Sequence, residues 1–310
     1  MSIRIGLGTG DFIFSGVDSF WRWVFFCEEH GVDSLWQSDR LISSQPQLES
    51  MSVMAALAGA TKRIKFGMNV VVLPYRDPLV LAKQCATIDY LSKGRLLPAF
   101  GVGSTEDPVL SATGRSTTER GRRANEMITI LSRLWQEKSV TFKGEFFQYS
   151  NVQISPKPVQ KPLPLWIGGS SAAAIRRTAS LGTGWLGGFI TPERTRKVIA
   201  DIKLQLKENG RHIDPDHYGM GIRFRFGSYN DTPVTRFVDI MKARRLPHFD
   251  PNTCLAVGSK KDIVSILQRY VEAGISKFVA TPLIENEGEL FYQTEMLINE
   301  ILPVLESGKS

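Results

Sequence analysis

Residues 164–174 read PLWIGGSSAAA, an apolar run that passes through two glycines and two serines into an alanine-rich segment. This pattern predicts a buried strand, a tight turn and the first turn of a helix. Backbone N–H groups at a helix start bind anions, and glycines let a ligand approach them closely. We therefore expect a phosphate group at Gly168, Gly169, Ser170 and Ser171, while a plain turn with a serine cap remains the alternative.

Outward from this stretch, the hydrophobic period switches repeatedly between two and 3.6 residues. The alternation predicts strands at residues 3–8, 34–37, 64–73, 95–100, 163–167, 184–190, 218–226 and 277–281. It predicts helices at residues 17–30, 50–61, 78–91, 118–137, 171–181, 192–209, 260–273 and 287–305. Eight strands separated by helices, with no break between two halves, favour a closed (β/α)8 TIM barrel over an open doubly wound sheet.

Two segments interrupt this repeat. Residues 139–161 are short polar and aromatic pieces that predict a surface hairpin, and residues 227–257 fit no strand–helix unit. Long loops on the C-terminal rim of a barrel commonly form lids and substrate pockets. The sequence therefore predicts a single domain, residues 1–310, with insertions on the rim at about 139–161 and 227–257.

Composition narrows the class of protein. The chain has 310 residues, 42% of them hydrophobic and 22% charged, which is ordinary for a globular protein. We see no leader sequence and no apolar run near the roughly 18 residues that a membrane span needs, so we expect a cytoplasmic protein without a membrane partner. Cys27, Cys85 and Cys254 are too scattered for a disulfide framework or a metal cluster.

The net charge of +7 is spread along predicted helix faces. We therefore expect no nucleic-acid partner, but a basic surface favours anionic ligands such as phosphorylated cofactors. The histidines show no ligand spacing, so no metal is expected. His248, in the second insertion, is the one candidate among them, although a surface-loop histidine is the better interpretation.

Other enzyme classes have little support. The G-x-G clusters at residues 6–8 and 101–103 lack the third glycine of a dinucleotide-binding fingerprint, which leaves a Rossmann dehydrogenase as a minor alternative. The sequence has no G-x-S-x-G elbow, so serine hydrolase chemistry is not indicated.

Five motifs in order carry a resemblance across nearly the whole chain. They are RLLPAFGVG at 95–103, ERGRR at 119–123, FKGEFF at 142–147, PKPVQKP at 156–162 and WIGG at 166–169. Together they resemble the bacterial luciferase-like monooxygenase family of flavin and deazaflavin enzymes. The resemblance extends to AVGS at 256–259 and is weakest over 227–252. It implies a barrel with a flavin ring near its C-terminal mouth and the cofactor phosphate at residues 168–171.

The resemblance also implies catalytic candidates at the end of the second strand. Residues 34–40, SLWQSDR, match a family motif that commonly ends in Asp-His beside the ring, so Asp39 and Arg40 take these positions. Arginine stays protonated and would stabilise an anionic ring or substrate rather than transfer a proton. Alternatively, Arg40 pairs with Asp39 or with a carboxylate on the rim.

The third strand ends at Asn69 and Val70, where relatives often have a non-prolyl cis peptide against the ring. We expect this cis bond at Asn69–Val70, although the residues alone would predict an ordinary buried strand.

The loop after the fourth strand contains further candidates. Gly103, Ser104 and Thr105 occupy positions that contact the pyrimidine edge in related enzymes. Glu106 would serve as an acid if burial raised its pKa; otherwise it is a solvated side chain.

These observations predict a flavin-dependent oxidoreductase that uses reduced FMN as a monooxygenase to oxidise a small organic substrate, with a separate flavin reductase as a further partner. One alternative is a hydride-transfer enzyme that uses the deazaflavin coenzyme F420, and the sequence does not decide between FMN and F420. Another, prompted by the altered Asp39–Arg40 pair, is a non-catalytic flavin-binding protein of the same fold. Relatives often dimerise, so we expect a homodimer.

Overall fold

A computed structural model of the protein describes residues 3–10, 13–246 and 248–305. In these ranges a curled parallel sheet carries helices in an α/β arrangement, and an antiparallel hairpin lies beside it. None of the helices in the described ranges combines the length and the apolar character needed to cross a membrane.

The strands of the described ranges form two sheets. They are β1 (Arg4–Gly8), β2 (Ser34–Gln37), β3 (Lys65–Met68), β4 (Val71–Val72), β5 (Leu96–Leu97), β6 (Ala99–Gly101), β7 (Val140–Lys143), β8 (Gln148–Val152), β9 (Trp166–Gly168), β10 (Gly184–Gly188), β11 (Tyr218–Phe226), β12 (Leu255–Gly258) and β13 (Lys277–Pro282). The curled sheet has the order β4-β6-β9-β10-β11-β13-β1-β2-β3-β5, with β12 paired to β11, and β7 pairs with β8 as the predicted hairpin.

The helices follow the strands along the chain. They are α1 (Val17–Glu29), α2 (Ser50–Ala60), α3 (Pro78–Leu91), α4 (Pro108–Ala112), α5 (Arg120–Gln136), α6 (Ala172–Leu181), α7 (Pro192–Glu208), α8 (Thr232–Ala243), α9 (Pro251–Cys254), α10 (Lys260–Glu272), α11 (Glu287–Met296) and α12 (Leu302–Leu305). A 3-10 turn lies at Leu73–Tyr75, and a π-helical segment, Leu297–Ile301, joins α11 to α12.

Several predicted elements differ from the observed ones. The predicted strand at 64–73 is divided into β3 and β4, and the one at 95–100 into β5 and β6 around Pro98, which has no N–H to donate. The loop predicted at 101–114 contains α4. The insertion at 227–257 contains α8, α9 and most of β12, which pairs in parallel with β11 from Arg223↔Leu255 to Phe226↔Gly258.

The two ends of the sheet order come from the same two stretches of chain. At one end β4 pairs with β6, with Val71 opposite Phe100. At the other end β3 pairs with β5, with Phe66 opposite Leu96. Because β3 is followed directly by β4, and β5 by β6, the strands at the two ends of the sheet order are neighbours along the chain.

The inside of the curled sheet has its own cluster of buried side chains, which come from strands that are not all adjacent. Its members are Trp36, Ala99, Trp166, Leu186 and Val279. Side chains from strands that are not adjacent can touch only across the concave face of the curled sheet, so these residues lie on that face. A much larger apolar cluster includes residues of both the strands and the helices.

A buried ion pair lies at the amino-terminal end of this interior. The Lys277 ammonium donates to the Asp33 carboxylate, and the two side chains are only 8% and 10% exposed. Burial lowers the pKa of Lys277 more than Asp33 raises it. Burial raises the pKa of Asp33, but Lys277 outweighs it and leaves the carboxyl pKa lowered. Each group therefore favours the charged form of the other.

Two carboxylates attach the first insertion to the helices. Glu126 of α5 accepts hydrogen bonds from the N–H groups of Glu145, Phe146 and Phe147 at 2.6, 3.0 and 3.2 Å. The buried carboxylate of Asp89 in α3 accepts from the N–H groups that follow the hairpin, at residues 159 and 160. The hairpin is thus held by charge-assisted bonds rather than by an extension of the sheet.

We predict that Lys277→Met lowers the free energy of unfolding by about 3–5 kcal/mol, because it leaves the Asp33 carboxylate buried without its counter-ion. The matched control is Lys197→Met on the exposed face of α7, which should change stability by no more than about 0.5 kcal/mol. Urea unfolding followed by circular dichroism measures both; equal effects would contradict the proposed importance of the pair.

Candidate functional site

All the predicted site residues lie on segments that follow strands of the curled sheet. They come after β2, after β3, after β6 and at the end of β9. Since these strands are parallel, their carboxyl ends meet at one edge, which we call the mouth. The predicted positions are therefore brought to a common edge, where ligands of α/β sheets usually bind.

The peptide bond between Asn69 and Val70 is cis, as the resemblance implied. The Val70 side chain fits between two glycines: a Cβ atom on Gly168 would lie 3.1 Å from Val70 Cγ1, and one on Gly101 only 2.7 Å from Cγ2. Val70 thus contacts the start of the predicted phosphate turn, and neither glycine leaves room for a side chain.

Residues 168–171 form the predicted turn into α6. Gly169 has φ +104°, a backbone conformation that favours glycine. Ser171 is the N-cap, and its side chain accepts from the N–H of Ala174 at 3.2 Å. N–H groups in the first turn of a helix have no intrahelical acceptor, and the helix dipole makes this end positive.

The carbonyl groups of this turn point into the protein. Trp185 Nε1 donates to Gly169 O at 2.7 Å, and Arg194 Nη2 donates to Ser170 O at 3.3 Å. In a trans peptide the C=O and N–H point in opposite directions. The N–H groups of Ser170 and Ser171 therefore face away from Trp185 and Arg194, which is the arrangement that an anion requires.

Arg194 was not predicted. It lies in the first turn of α7, directly after β10, and its Nε atom is buried with no hydrogen-bond partner in the described part of the chain. An orphaned cationic donor beside a glycine turn fits a phosphate group. The rule that site residues follow strand ends could have identified it, but its contact with a turn 24 residues earlier is not visible in the sequence.

Asp39 lies inside a network of hydrogen bonds instead of facing Arg40. Its fully buried side chain accepts from Arg76 Nη2 at 2.6 Å, from Ser50 Oγ at 3.1 Å and from the N–H of Val72 at 2.9 Å. The alternative of an Asp39–Arg40 ion pair is therefore wrong, because the partner of Asp39 is Arg76. The catalytic role of Asp39 and Arg40 stays a prediction. Sequence reasoning missed Arg76 because it lies 37 residues away.

Arg76 bridges two carboxylates. It also binds Glu49 at 2.9 Å, and Glu49 in turn caps the first turn of α2. Burial lowers the pKa of Arg76, but Asp39 and Glu49 together leave it raised. The network therefore joins the end of β2, the start of α2 and the segment that follows the cis peptide.

Arg40 is exposed and has no ion-pair partner within residues 3–10, 13–246 and 248–305. The alternative in which a carboxylate on the rim neutralises it is not seen there. Its proposed contact with an anionic ring or substrate stays a prediction.

The loop after β6 combines a tight glycine with exposed polar residues. Gly103 has φ +70°, and a Cβ atom there would lie 2.7 Å from Val72 Cγ1. Ser104, Thr105 and Glu106 are exposed. The burial on which the acid role of Glu106 depended is therefore absent, while the contacts of Ser104 and Thr105 with a cofactor stay predictions.

Three arginines beyond this loop were also missed. Arg115, Arg120 and Arg123 each have a buried Nε atom without a hydrogen-bond partner among the described residues. Burial and the neighbouring charge of Arg115 lower the pKa of Arg123. The loop and the start of α5 thus carry a concentration of positive charge with unused donors.

One group in the described ranges has the composition of a metal site. Ligand atoms of Asp214, Asp216 and His217 lie within 4.8 Å of one another, a grouping that the sequence analysis did not anticipate. It precedes β11, at the amino end of the sheet and away from the mouth, and both carboxylates are exposed. His248, in turn, is exposed on the second insertion.

Comparison with known proteins gives several relatives. The chain is 32% identical to the uncharacterized protein Rv0940c of Mycobacterium tuberculosis over 171 residues, which are 55% of this chain and 58% of that protein. It is 29% identical to an F420-dependent glucose-6-phosphate dehydrogenase of Microbacterium testaceum over 68% of this chain and 65% of that one. It is 30% identical to an FMNH2-dependent dimethylsulfone monooxygenase of Pseudomonas putida, over 54% and 47%. The matches thus span about half to two thirds of these relatives.

Solved structures share the fold. An F420-dependent secondary alcohol dehydrogenase in complex with an F420-acetone adduct superposes with a TM-score of 0.83 at 19% identity, covering 98% of this chain and 99% of that one. The sequence model of the luciferase-like monooxygenase family matches residues 7–228. This match runs from the end of β1 through β11 and includes the cis peptide and the glycine turn. The chain therefore belongs to the luciferase-like monooxygenase family.

Proposed function

We propose that the protein is an oxidoreductase that binds a phosphorylated flavin-type cofactor across the mouth. One observation supports this most directly: the cis Asn69–Val70 segment contacts Gly168, the first residue of the phosphate turn, through the Val70 methyl groups. A molecule held by its phosphate at this turn would have its ring within reach of the cis segment. When bound, the cofactor supplies the redox chemistry, and the protein supplies its position and surroundings.

The curled sheet is, in this proposal, a closed eight-stranded (β/α)8 barrel in a single domain, residues 1–310. The segments β3 and β4 count as one interrupted strand, and β5 and β6 count as another. The pairing of β3 with β5 and of β4 with β6 then joins these two strands to each other, which connects the two ends of the sheet order. With β12 as an addition beside β11, eight strands remain. Closure removes both sheet edges and brings all the carboxyl ends around one mouth.

Coenzyme F420 is the proposed cofactor. FMN carries its negative charge on one phosphate, whereas F420 also carries the carboxylates of a glutamate tail. The chain offers more cationic donors near the mouth than one phosphate needs: Arg194 lies beside the turn, and Arg115, Arg120 and Arg123 have unused donors. The F420-dependent relative matches 68% of this chain, whereas the FMNH2-dependent relative matches 54%.

FMN is the second candidate. The relative that is 30% identical is an FMNH2-dependent monooxygenase, against 29% for the F420-dependent one, and the glycine turn suits the phosphate of either cofactor. With FMN, the protein would oxidise a small organic substrate with oxygen and would need a separate reductase to reduce the flavin. A homodimer belongs to both versions of the proposal.

The residues of the mouth have separate tasks. Ser170, Ser171 and Arg194 would hold the phosphate, and exposed Arg40 would face an anionic ring or substrate. Asp39 acts through other groups as a positioning residue, because its carboxylate holds the Val72 N–H two residues after Val70. Since the Asp39 carboxylate is fully buried and bound by three donors, it does not transfer protons at the ring in this scheme.

We predict that the purified chain binds F420 and, more weakly, FMN, and that it transfers hydride without consuming oxygen. Fluorescence titration with each cofactor measures binding, and an oxygen electrode with reduced FMN tests the second candidate. Oxygen consumption with FMN and no binding of F420 would favour the monooxygenase. Binding of neither cofactor would overturn the proposed function.

Gly169→Asp should weaken cofactor binding by about tenfold or more, since it places a carboxylate against the proposed phosphate. Gly210→Asp is the matched control: Gly210 also has a positive φ, +62°, but lies beyond α7 with no atom within 4 Å of an added Cβ. Equal cofactor affinities of the two variants would show that the phosphate binds elsewhere.

Asp39→Ala should destabilise the fold by about 3–5 kcal/mol, because it leaves the half-buried Arg76 partly unpaired and the buried Val72 N–H without its acceptor. The neighbouring Arg40→Ala removes an exposed side chain and should change stability by less than about 0.5 kcal/mol while weakening cofactor binding. Thermal unfolding and cofactor titration of both variants measure this contrast. Similar stabilities would argue against a positioning role for Asp39.

A further inference from the structure

The neighbouring strands β10 and β11 each place a glycine on the inside of the curled sheet. Gly188 lies opposite Gly221 in their parallel register. Leu186, two residues before Gly188, belongs to the cluster of buried side chains on the inside of the sheet. A Cβ atom on Gly219, two residues before Gly221, would lie 2.7 Å from the Trp166 ring of the same cluster. Alternate residues of a strand share a face, so both glycines face inward, one pleat nearer the mouth than that cluster.

The space beside this glycine pair is open. At Gly8 of β1, by contrast, an added Cβ atom would overlap with Thr281 Oγ1. A Cβ atom on Gly188 would meet only the carbonyl oxygen of Gly221, at 3.9 Å, and one on Gly221 would meet no atom closer than 3.5 Å beyond its chain neighbours. Both glycines are half-buried, so this space connects to the mouth. The two strands thus leave a hollow where a side chain would otherwise lie.

One polar side chain crosses the interior to reach this hollow. Asn69 follows β3, which lies four strands from β11 in the sheet order, yet its Nδ2 atom lies 3.5 Å from where a Cβ atom on Gly221 would be. The main-chain N–H of Asn69 donates to Gln37 O at 2.9 Å, but its carboxamide has no hydrogen-bond partner within residues 3–10, 13–246 and 248–305. A carboxamide is uncharged and offers both donors and an acceptor. Asn69 therefore has unused hydrogen-bonding capacity at the hollow.

The other surroundings of the hollow are apolar. The inside cluster lies one pleat below it, and Phe189 follows Gly188 directly, with φ +57°, a rare conformation for a bulky residue. The Phe189 ring lies 5.9 Å from that of Phe237 in α8. Arg223, one pleat nearer the mouth, is engaged with other protein groups, among them the Phe237 ring at 5.3 Å, so we assign no ligand contact to it. An ionised group in the hollow would lose its hydration with only an uncharged carboxamide in return.

We propose that Gly188, Gly221 and Asn69 form a substrate subsite that takes an uncharged oxygen group, a hydroxyl or a carbonyl, at the end of an apolar body. The glycines admit this group because they have no side chains, and the Asn69 carboxamide forms a hydrogen bond with it. The subsite rests on the proposed function, since it names the substrate class of the same mouth. An uncharged oxygen in the hollow has two conceivable sources, the substrate and a carbonyl of the cofactor ring; we assign it to the substrate.

The first test compares three probes with a common six-membered ring: cyclohexanone, methylenecyclohexane and cyclohexanecarboxylate. Ligand-observed NMR titration of the full chain, with and without F420, should show that cyclohexanone binds about three- to tenfold more tightly than methylenecyclohexane in both states. The carboxylate should bind more weakly than the ketone. Asn69→Leu keeps a similar shape without the amide and should remove the preference for the ketone. The control Asn230→Leu, in an exposed turn before α8, should keep it.

The second test fills the hollow. Gly221→Ala and Gly188→Ala each add one methyl group where the nearest atom is at least 3.5 Å away, so both variants should keep the melting temperature of the parent chain. The same methyl group occupies the hollow and should weaken cyclohexanone binding by about tenfold or more. The control Gly59→Ala adds a methyl group to the exposed face of α2, where no atom lies within 4 Å, and should leave the affinity unchanged.

Equal affinities for cyclohexanone and methylenecyclohexane, failure to bind cyclohexanone, tighter binding of the carboxylate, or equal effects of Gly221→Ala and Gly59→Ala would overturn the subsite. Loss of cyclohexanone binding only in the F420-loaded protein would overturn it as well, because the hollow would then belong to the cofactor ring. Cofactor titration separates this failure from that of the proposed function. A chain that binds F420 without preferring cyclohexanone loses only the subsite.

Discussion

The buried carboxylate of Asp39 is the constraint on which the mouth depends. It accepts from a serine of α2, from Arg76 and from the Val72 N–H, and so joins three segments that are distant in sequence. A buried carboxylate must keep all of its hydrogen-bond donors in place, because losing a donor leaves part of its desolvation cost without compensation. The cis bond at Asn69–Val70 lies two residues before Val72, so the hydrogen bond from the Val72 N–H to Asp39 helps to fix the position of this segment.

From that segment, contacts lead directly to the phosphate turn. Val70 fills the space left by Gly101 and Gly168, so β4, β6 and β9 approach more closely than side chains would permit. The turn itself is oriented by Trp185 and Arg194, which bind its carbonyls and thereby turn its N–H groups outward. In the proposed function, the position of the cofactor ring and that of its phosphate would both follow from this one packed edge.

Much of this arrangement could be predicted from the sequence. The glycine turn at 168–171, the cap at Ser171 and the cis bond at Asn69–Val70 follow from local pattern or from family motifs. The partner of Asp39 could not be predicted, because Arg76 and Arg40 are equally plausible cations until the chain is folded. The exposure of Glu106 could not be predicted either. A glutamate is chemically suited to act as an acid, but Glu106 is exposed and therefore lacks the burial that this role needs.

The α/β class, the strand–helix order and the family could all be predicted from the amino-acid sequence, because hydrophobic period, glycines and helix caps act within a few residues of each other. Only the folded chain shows which group each arginine contacts. Arg76 binds the Asp39 carboxylate, Arg194 binds the Ser170 carbonyl and Arg223 lies over the Phe237 ring. These contacts depend on the curvature of the sheet and on which strand ends become neighbours, and that information is spread over the whole chain. The glycine turn at residues 168–171 could be predicted from the eleven residues 164–174, but the side chains that contact it could not.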